Sequence, residues 1–207
     1  NSRSVLRHSD VIQPESATVL SDVDVTIVGG RIQEIGSKLS GLGGARTIEL
    51  GGRFIMPGLI DAHAHVGAVS TDYDSLMDWP MSYLTAQIAP VLAGMLDRGF
   101  TTIRDLGGAD YGIARAVDDG YLVGPRLRFS GKNLSRAEGP GHPREYGNDY
   151  RTGYHERAAP GIALQTTEDL LAAAEQELDR GAHQLKISVT GGVSARASGP
   201  SSLKFSG

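Results

Sequence analysis

The chain has 207 residues, 40% of them hydrophobic and 21% charged, with a formal net charge of −4. That is an ordinary globular composition, and it carries no basic footprint for nucleic acid and no polybasic membrane patch. There is no cysteine, so disulfide scaffolds and Cys-ligated zinc are excluded, and any metal must be held by His, carboxylate or modified Lys. No apolar run is long enough to span a membrane, and the opening NSRSVLRHSDVIQ lacks the apolar core of a signal peptide. A cytoplasmic protein is the expectation, although absence of cysteine suits any compartment.

Residues 1–57 read as a small β domain. The stretch DVDVTIVGGRIQEIG (22–36) alternates around Gly29-Gly30 and predicts a hairpin, with Val23, Val25 and Ile27 on one face and Ile32 and Ile35 on the return strand. ARTIELGGRFIMPG (45–58) predicts a second pair of short strands about Gly51-Gly52.

From residue 58 onward the pattern becomes strand, then helix, repeated. The predicted strands are 59–65, 100–105, 126–131 and 183–189, and the predicted helices are 82–99, 110–120 and 166–181. In the first helix Leu84, Ile88, Leu92 and Met95 recur at helical spacing, and Pro90 should kink or divide it. Thr166 or Thr167 can cap the last helix and Gly181 can close it. Alternating β and α units predict a parallel sheet, as a barrel or a doubly wound fold. The Gly- and Pro-rich segment 131–165, which contains His142, Tyr146, Tyr150, Tyr154 and His155, breaks the pattern and reads as a lid or a substrate-facing loop.

Two features carry chemistry. In GLIDAHAHVG (58–67), His63 and His65 are two residues apart, so on a strand they point the same way. Two imidazoles on a rigid strand form a ready chelate for Zn, Fe, Ni or Cu; the plainer alternative is a pair of hydrogen-bonded core histidines. In HQLKISV (183–189), Gln184, Lys186 and Ser188 share one face while Leu185, Ile187 and Val189 share the other. If the apolar face meets helices, Lys186 points into a barrel. There a neutral amine can take up carbon dioxide as a carbamate, whose two oxygens can bridge two metals; a lysine paired with an acid, or snorkelling outward, is the alternative.

GRFIMPGLIDAHAHVG (52–67), GFTTIRDLGG (99–108), GPRLRFSG (124–131) and LKISVTGGVSA (185–195) together resemble the amidohydrolase superfamily, in its imidazolonepropionase-like and Xaa-Pro or Xaa-Arg dipeptidase-like branch. The resemblance runs in order along nearly the whole chain. It implies an α/β fold, a (β/α)₈ TIM barrel, beside a small N-terminal β-sandwich, with residues 1–57 belonging to the sandwich and 58–207 to the first half of the barrel. It implies a binuclear metal centre, usually two zinc ions, with His63 and His65 as strand-one ligands and Lys186 as the carboxylated lysine that bridges the pair. His142 and Tyr146 are candidates for contact with substrate.

The activity implied is hydrolysis of an amide or peptide C–N bond, in a dipeptide, an N-acyl amino acid or a similar small molecule, by a metal-activated hydroxide. The remaining ligands and a general-base Asp are expected beyond Gly207, because four strands make only half a barrel. Homo-oligomers or a C-terminal half on other residues would complete it. Two rival readings stand beside this one: a non-catalytic barrel fragment used for binding or assembly, and a hydrolase of cyclic amides on the same fold.

Overall fold

The computed structural model describes residues 2–39, 43–72, 76, 79–136 and 161–190. The chain divides into two compact units, Asn1–Pro57 and Gly58–Gly207.

The first unit is one four-stranded sheet with the order β3-β2-β1-β4. Its strands are β1 (Arg3–Gln13), β2 (Thr18–Val28), β3 (Arg31–Gly36) and β4 (Arg46–Ile55). The hairpin about Gly29-Gly30 is present, with Ile27 opposite Ile32 and Val25 opposite Ile35. β1 was not foreseen, and it is central: antiparallel to β2 and parallel to β4. The second pair of strands is not formed. Residues 46–55 make one strand that runs through Gly51 and Gly52, whose φ values are +58° and +81°. The two glycines form a bulge rather than a turn, because pairing with β1 jumps from Arg7–Glu49 to Ser9–Arg53. The second layer of the expected sandwich is not among the described residues. Val11, Val23 and Val25 form the small core, and a buried Asp24 receives Arg7 at 2.8 Å and the N–H groups of His8 and Leu39.

The second unit contains two parallel three-stranded sheets. β5 (Leu59–Ala64), β6 (Phe100–Asp105) and β7 (Arg126–Phe129) form one, in that order. β8 (Asn133–Arg136), β9 (Gly161–Leu164) and β10 (Lys186–Ser188) form the other, in the order β10-β8-β9. Segment 131–165, read as an irregular loop, therefore begins and ends in strands; 137–160, which holds His142 and Tyr146, lies outside the described residues.

Helix α1 (Met81–Asp97) buries Leu84, Ile88 and Leu92 completely, with Met95 at the margin. Pro90 does not divide it. Pro90 and Ala86 are both exposed, so the carbonyl that loses its helical N–H partner can turn to water. α2 (Tyr111–Asp118) is capped by Asp110, which accepts from the Ile113 N–H at 2.9 Å. α3 (Thr167–Asp179) starts with a reciprocal capping box between Thr166 and Asp169. α1 and α2 cover the side of the first sheet that carries Ile103, Leu127 and Phe129, and these join Ala64, Val66 and the α1 stripe in one core, while Ala173 of α3 packs with Leu134 and Leu164 of the second sheet.

Candidate metal centre

β5 carries Ala64 into that core, so its neighbours His63 and His65 project from the opposite face. Their ring centroids lie 5.3 Å apart with planes tilted by 58°. Both rings are exposed within the described residues.

The His65 ring is aimed by a backbone carbonyl. Its Nδ1 lies 3.0 Å from the oxygen of Gly107, which can only accept, so Nδ1 is the donor and a neutral ring presents its lone pair at Nε2. That is the arrangement a metal-ligating imidazole uses. The Gly107 carbonyl is itself held in place by Asp105. This side chain is completely buried and accepts from the N–H of Val66 at 2.7 Å, of Gly107 at 3.0 Å and of Ala109 at 3.1 Å. Burial pushes the Asp105 pKa up, and the three backbone donors pull against it. Leu106 N–H donates to the Ala64 carbonyl at 2.9 Å, tying the ends of β5 and β6 together. At the end of the strand predicted over 100–105, Asp105 reads from sequence as a supporting or structural residue, and the three donors make it the bolt of the β5–β6 corner.

His63 is positioned from below. Its backbone N–H donates to the Asp61 carboxylate at 3.0 Å. The β5–β6 pairing slips by one residue here, from Asp61–Ile103 to Ala64–Asp105. This bulge lets His63 stand beside Arg104, whose Nε donates to the Ala62 carbonyl at 2.7 Å. The His63 pKa is lowered, first by burial, then by the charges of Lys186, His65 and Arg104. A lowered pKa keeps the imidazole neutral, the form that binds metal.

Lys186, half-buried, opens β10 opposite Asn133 of β8. Gln184, on the same face, donates to the Asp105 carbonyl at 3.3 Å, so this face of β10 is turned toward the β6 corner. Lys186 lies close enough to His63 for its charge to be felt there. Among the described residues no group of three His, Asp or Glu side chains gathers as a metal site. The three predicted residues nevertheless suit a divalent ion. The donors are the His63 imidazole, whose pKa is lowered, the His65 imidazole with its Nδ1 turned to the Gly107 carbonyl, and an amine that becomes an anionic oxygen ligand once carbamylated.

The model of the amidohydrolase family matches residues 54–206, and the chain belongs to that family. Its two parallel sheets are part of that family's barrel-type fold, left unclosed within the described residues. The chain is 29% identical over 204 residues to an ochratoxinase of Aspergillus niger, covering 92% of this chain and 42% of that protein. It superposes on a prolidase solved in complex with N-methylphosphonate-L-proline, with a TM-score of 0.94 and 32% identity, covering 99% of this chain and 51% of the other. A shorter match, 37% identical over 92 residues, joins 41% of this chain to 20% of a 5-methylthioadenosine/S-adenosylhomocysteine deaminase of Nitratidesulfovibrio vulgaris. The chain thus spans about half the length of the relatives it matches along its whole extent, in agreement with an N-terminal half.

Proposed function

We propose that this chain supplies the first half of the metal centre of a hydrolase that cleaves an amide C–N bond in a dipeptide, an N-acyl amino acid or a similar small substrate. His63, His65 and Lys186 as its carbamate hold two divalent ions, zinc being the metal best suited to the imidazoles. When bound, the metals act as Lewis acids on the scissile carbonyl and lower the pKa of water at the site. The chain's own residues do the positioning. Gly107 and Asp105 hold His65, Asp61 holds the backbone of His63, and Gln184 ties the start of β10 to the β6 corner. None of the three ligands moves the proton to the leaving nitrogen; that acid–base group belongs to the other half of a (β/α)₈ barrel, and residues 1–57 form part of a separate β-sandwich.

The observation that carries the reading is the His65 ring aimed by the Gly107 carbonyl, with its centroid 5.3 Å from that of His63, whose pKa is lowered. The prolidase and ochratoxinase likenesses support amide hydrolysis over other reactions of the fold. The deaminase match, over 92 residues, favours a second reading in which the same ligands serve a cyclic C–N substrate.

The test is metal and carbamate together. The chain is loaded with zinc in ¹³C-bicarbonate, metal is counted by mass spectrometry, and the carbamate carbon is sought by NMR. Bound zinc with a lysine carbamate is expected, and His63→Ala should lose the metal while keeping its circular dichroism. Unchanged metal in His63→Ala, or a carbamate signal that persists in Lys186→Arg, would overturn the assignment. A chain that binds no metal would leave the non-catalytic binding module as the better description.

A further inference from the structure

The proposed ligands stand on two different sheets, His63 and His65 at the end of β5 and Lys186 at the start of β10. Whatever registers one sheet on the other therefore belongs to the site. Among the described residues the sheets meet at His183-Gln184, just ahead of β10. Gln184 Nε2 donates to the Asp105 carbonyl at 3.3 Å, and the same oxygen receives the Ser130 N–H at 3.1 Å. His183 grips the preceding residue, Phe129, by both of its backbone groups. The His183 N–H donates to the Phe129 carbonyl at 2.9 Å. The Phe129 N–H, which can only donate, points at the His183 Nδ1 at 3.4 Å. The two rings pack edge to face, with centroids 5.1 Å apart and planes at 86°.

In a parallel pair the Phe129 N–H would go to a backbone carbonyl of the neighbouring strand. β10 pairs with β8 from Lys186 onward, opposite Asn133, and among the described residues no strand pairs with Phe129 on this side. The imidazole supplies the acceptor instead, so the chain is registered against β7 before β10 begins.

We infer that His183 is a positioning residue for Lys186. Its Nδ1 holds the lead-in to β10 against β7, and Gln184, on the opposite face, is thereby set on the Asp105 carbonyl. The Asp105 side chain also fixes Gly107, which aims His65, so one residue serves both the imidazole side and the lysine side of the centre. The inference rests on the hydrolase reading for what Lys186 does, but not for how His183 places it. His183 is itself exposed, so water can take over the Phe129 N–H when the ring is lost. The expected effect is thus on where β10 sits rather than on global stability.

The test separates the acceptor from the ring. His183→Phe keeps a ring on Phe129 without an acceptor, and His183→Asn keeps a side-chain oxygen without the ring. In the metal-free wild-type chain, ¹⁵N NMR should find the proton of the neutral His183 ring on Nε2. An Overhauser contact should join the Gln184 side-chain amide to the Ser130 N–H, because both donate to the Asp105 oxygen. His183→Phe should lose that contact and His183→Asn should keep it. With zinc and bicarbonate, zinc affinity should fall about tenfold or more in His183→Phe, with circular dichroism unchanged, and recover in His183→Asn. A neutral wild-type ring with its proton on Nδ1 would overturn the inference without any variant. So would an Overhauser contact that persists in His183→Phe, or an equal loss in both variants. A wild-type chain that binds no zinc would remove the hydrolase reading alone, and the metal-free contact would still decide how β10 is placed.

Discussion

Gly67 and Gly108 approach so closely that a Cβ built on Gly67 would lie 2.9 Å from the Gly108 Cα. Gly108 also has a φ of +123°, which side chains avoid. This contact seats the segment after β5 against the segment after β6. It therefore sets the distance between His65 and the Gly107 carbonyl that aims it. Gly67→Ala must push two backbones apart. A loss of about 1–3 kcal/mol is expected in urea denaturation. Zinc affinity, measured calorimetrically, should fall by more than that loss of stability accounts for; an unchanged affinity would show that the corner does not aim the ring.

Asp105→Asn keeps the shape of the side chain but replaces one acceptor oxygen with a donor. Val66 N–H and the Gly107/Ala109 pair use different carboxylate oxygens, so either orientation of the amide leaves at least one buried N–H facing another N–H. The expected cost is about 1–3 kcal/mol, read from the shift in urea midpoint. Amide exchange should accelerate at whichever side loses its acceptor, and unchanged protection at Val66, Gly107 and Ala109 would contradict this.

Metal retention should depend on acid through His63. Its pKa in the folded chain lies below the usual 6.5, so the folded state resists protonation relative to the unfolded chain. The corresponding stability is present above pH 6.5 and is lost as the pH falls through the lowered folded value. Zinc release should follow the same window, beginning below the pH at which a free imidazole protonates. NMR titration of the His63 ring in the metal-free chain checks the ordering, and a midpoint above 6.5 would refute it.

Lys132 offers a second pH signature, at the alkaline end. It is 8% exposed, and burial lowers its pKa to about 8, with Glu177 and Asp110 pulling the other way. The unfolded chain holds this proton up to about 10.5, so between pH 8 and 10.5 the unfolded state binds more protons and stability from this group rises with pH. Below pH 8 the full penalty applies, on the order of 3 kcal/mol before other alkaline titrations are counted. Lys132→Met should flatten the rise in a comparison of urea midpoints at pH 8 and 10.

The strongest sequence signals were periodic and local. The stripe of Leu84, Ile88 and Leu92 is a helix face, and the alternation in LIDAHAH is a strand whose alternate residues part to core and site. β1 escaped notice because its inward positions mix Val5, Ser9 and Val11, and the backbone reverses sign at His8, where φ is +53°. Neither a buried serine nor a bulge gives an alternating apolar pattern. Gly51-Gly52 was read as a turn because paired glycines serve both turns and bulges, and only the partner strand distinguishes them. β8 and β9 are four residues each and sit within a glycine-rich stretch, too short for periodicity to show. At the site, the spacing of His63 and His65 was legible, whereas their orientation comes from Gly107 and Asp105, which are 42 and 39 residues away from their partners His65 and Val66.

The parallel pairing of β1 with β4 has a consequence for biosynthesis. The centre of the first sheet lacks one neighbour until residues 46–55 have been made, and all four strands of that sheet lie within Asn1–Pro57. A ribosome can therefore release all four strands of this sheet while the strands that carry His63 and Lys186 are still being translated. The histidines at 63 and 65 would then emerge behind an already folded anchor, rather than from a wholly unstructured chain.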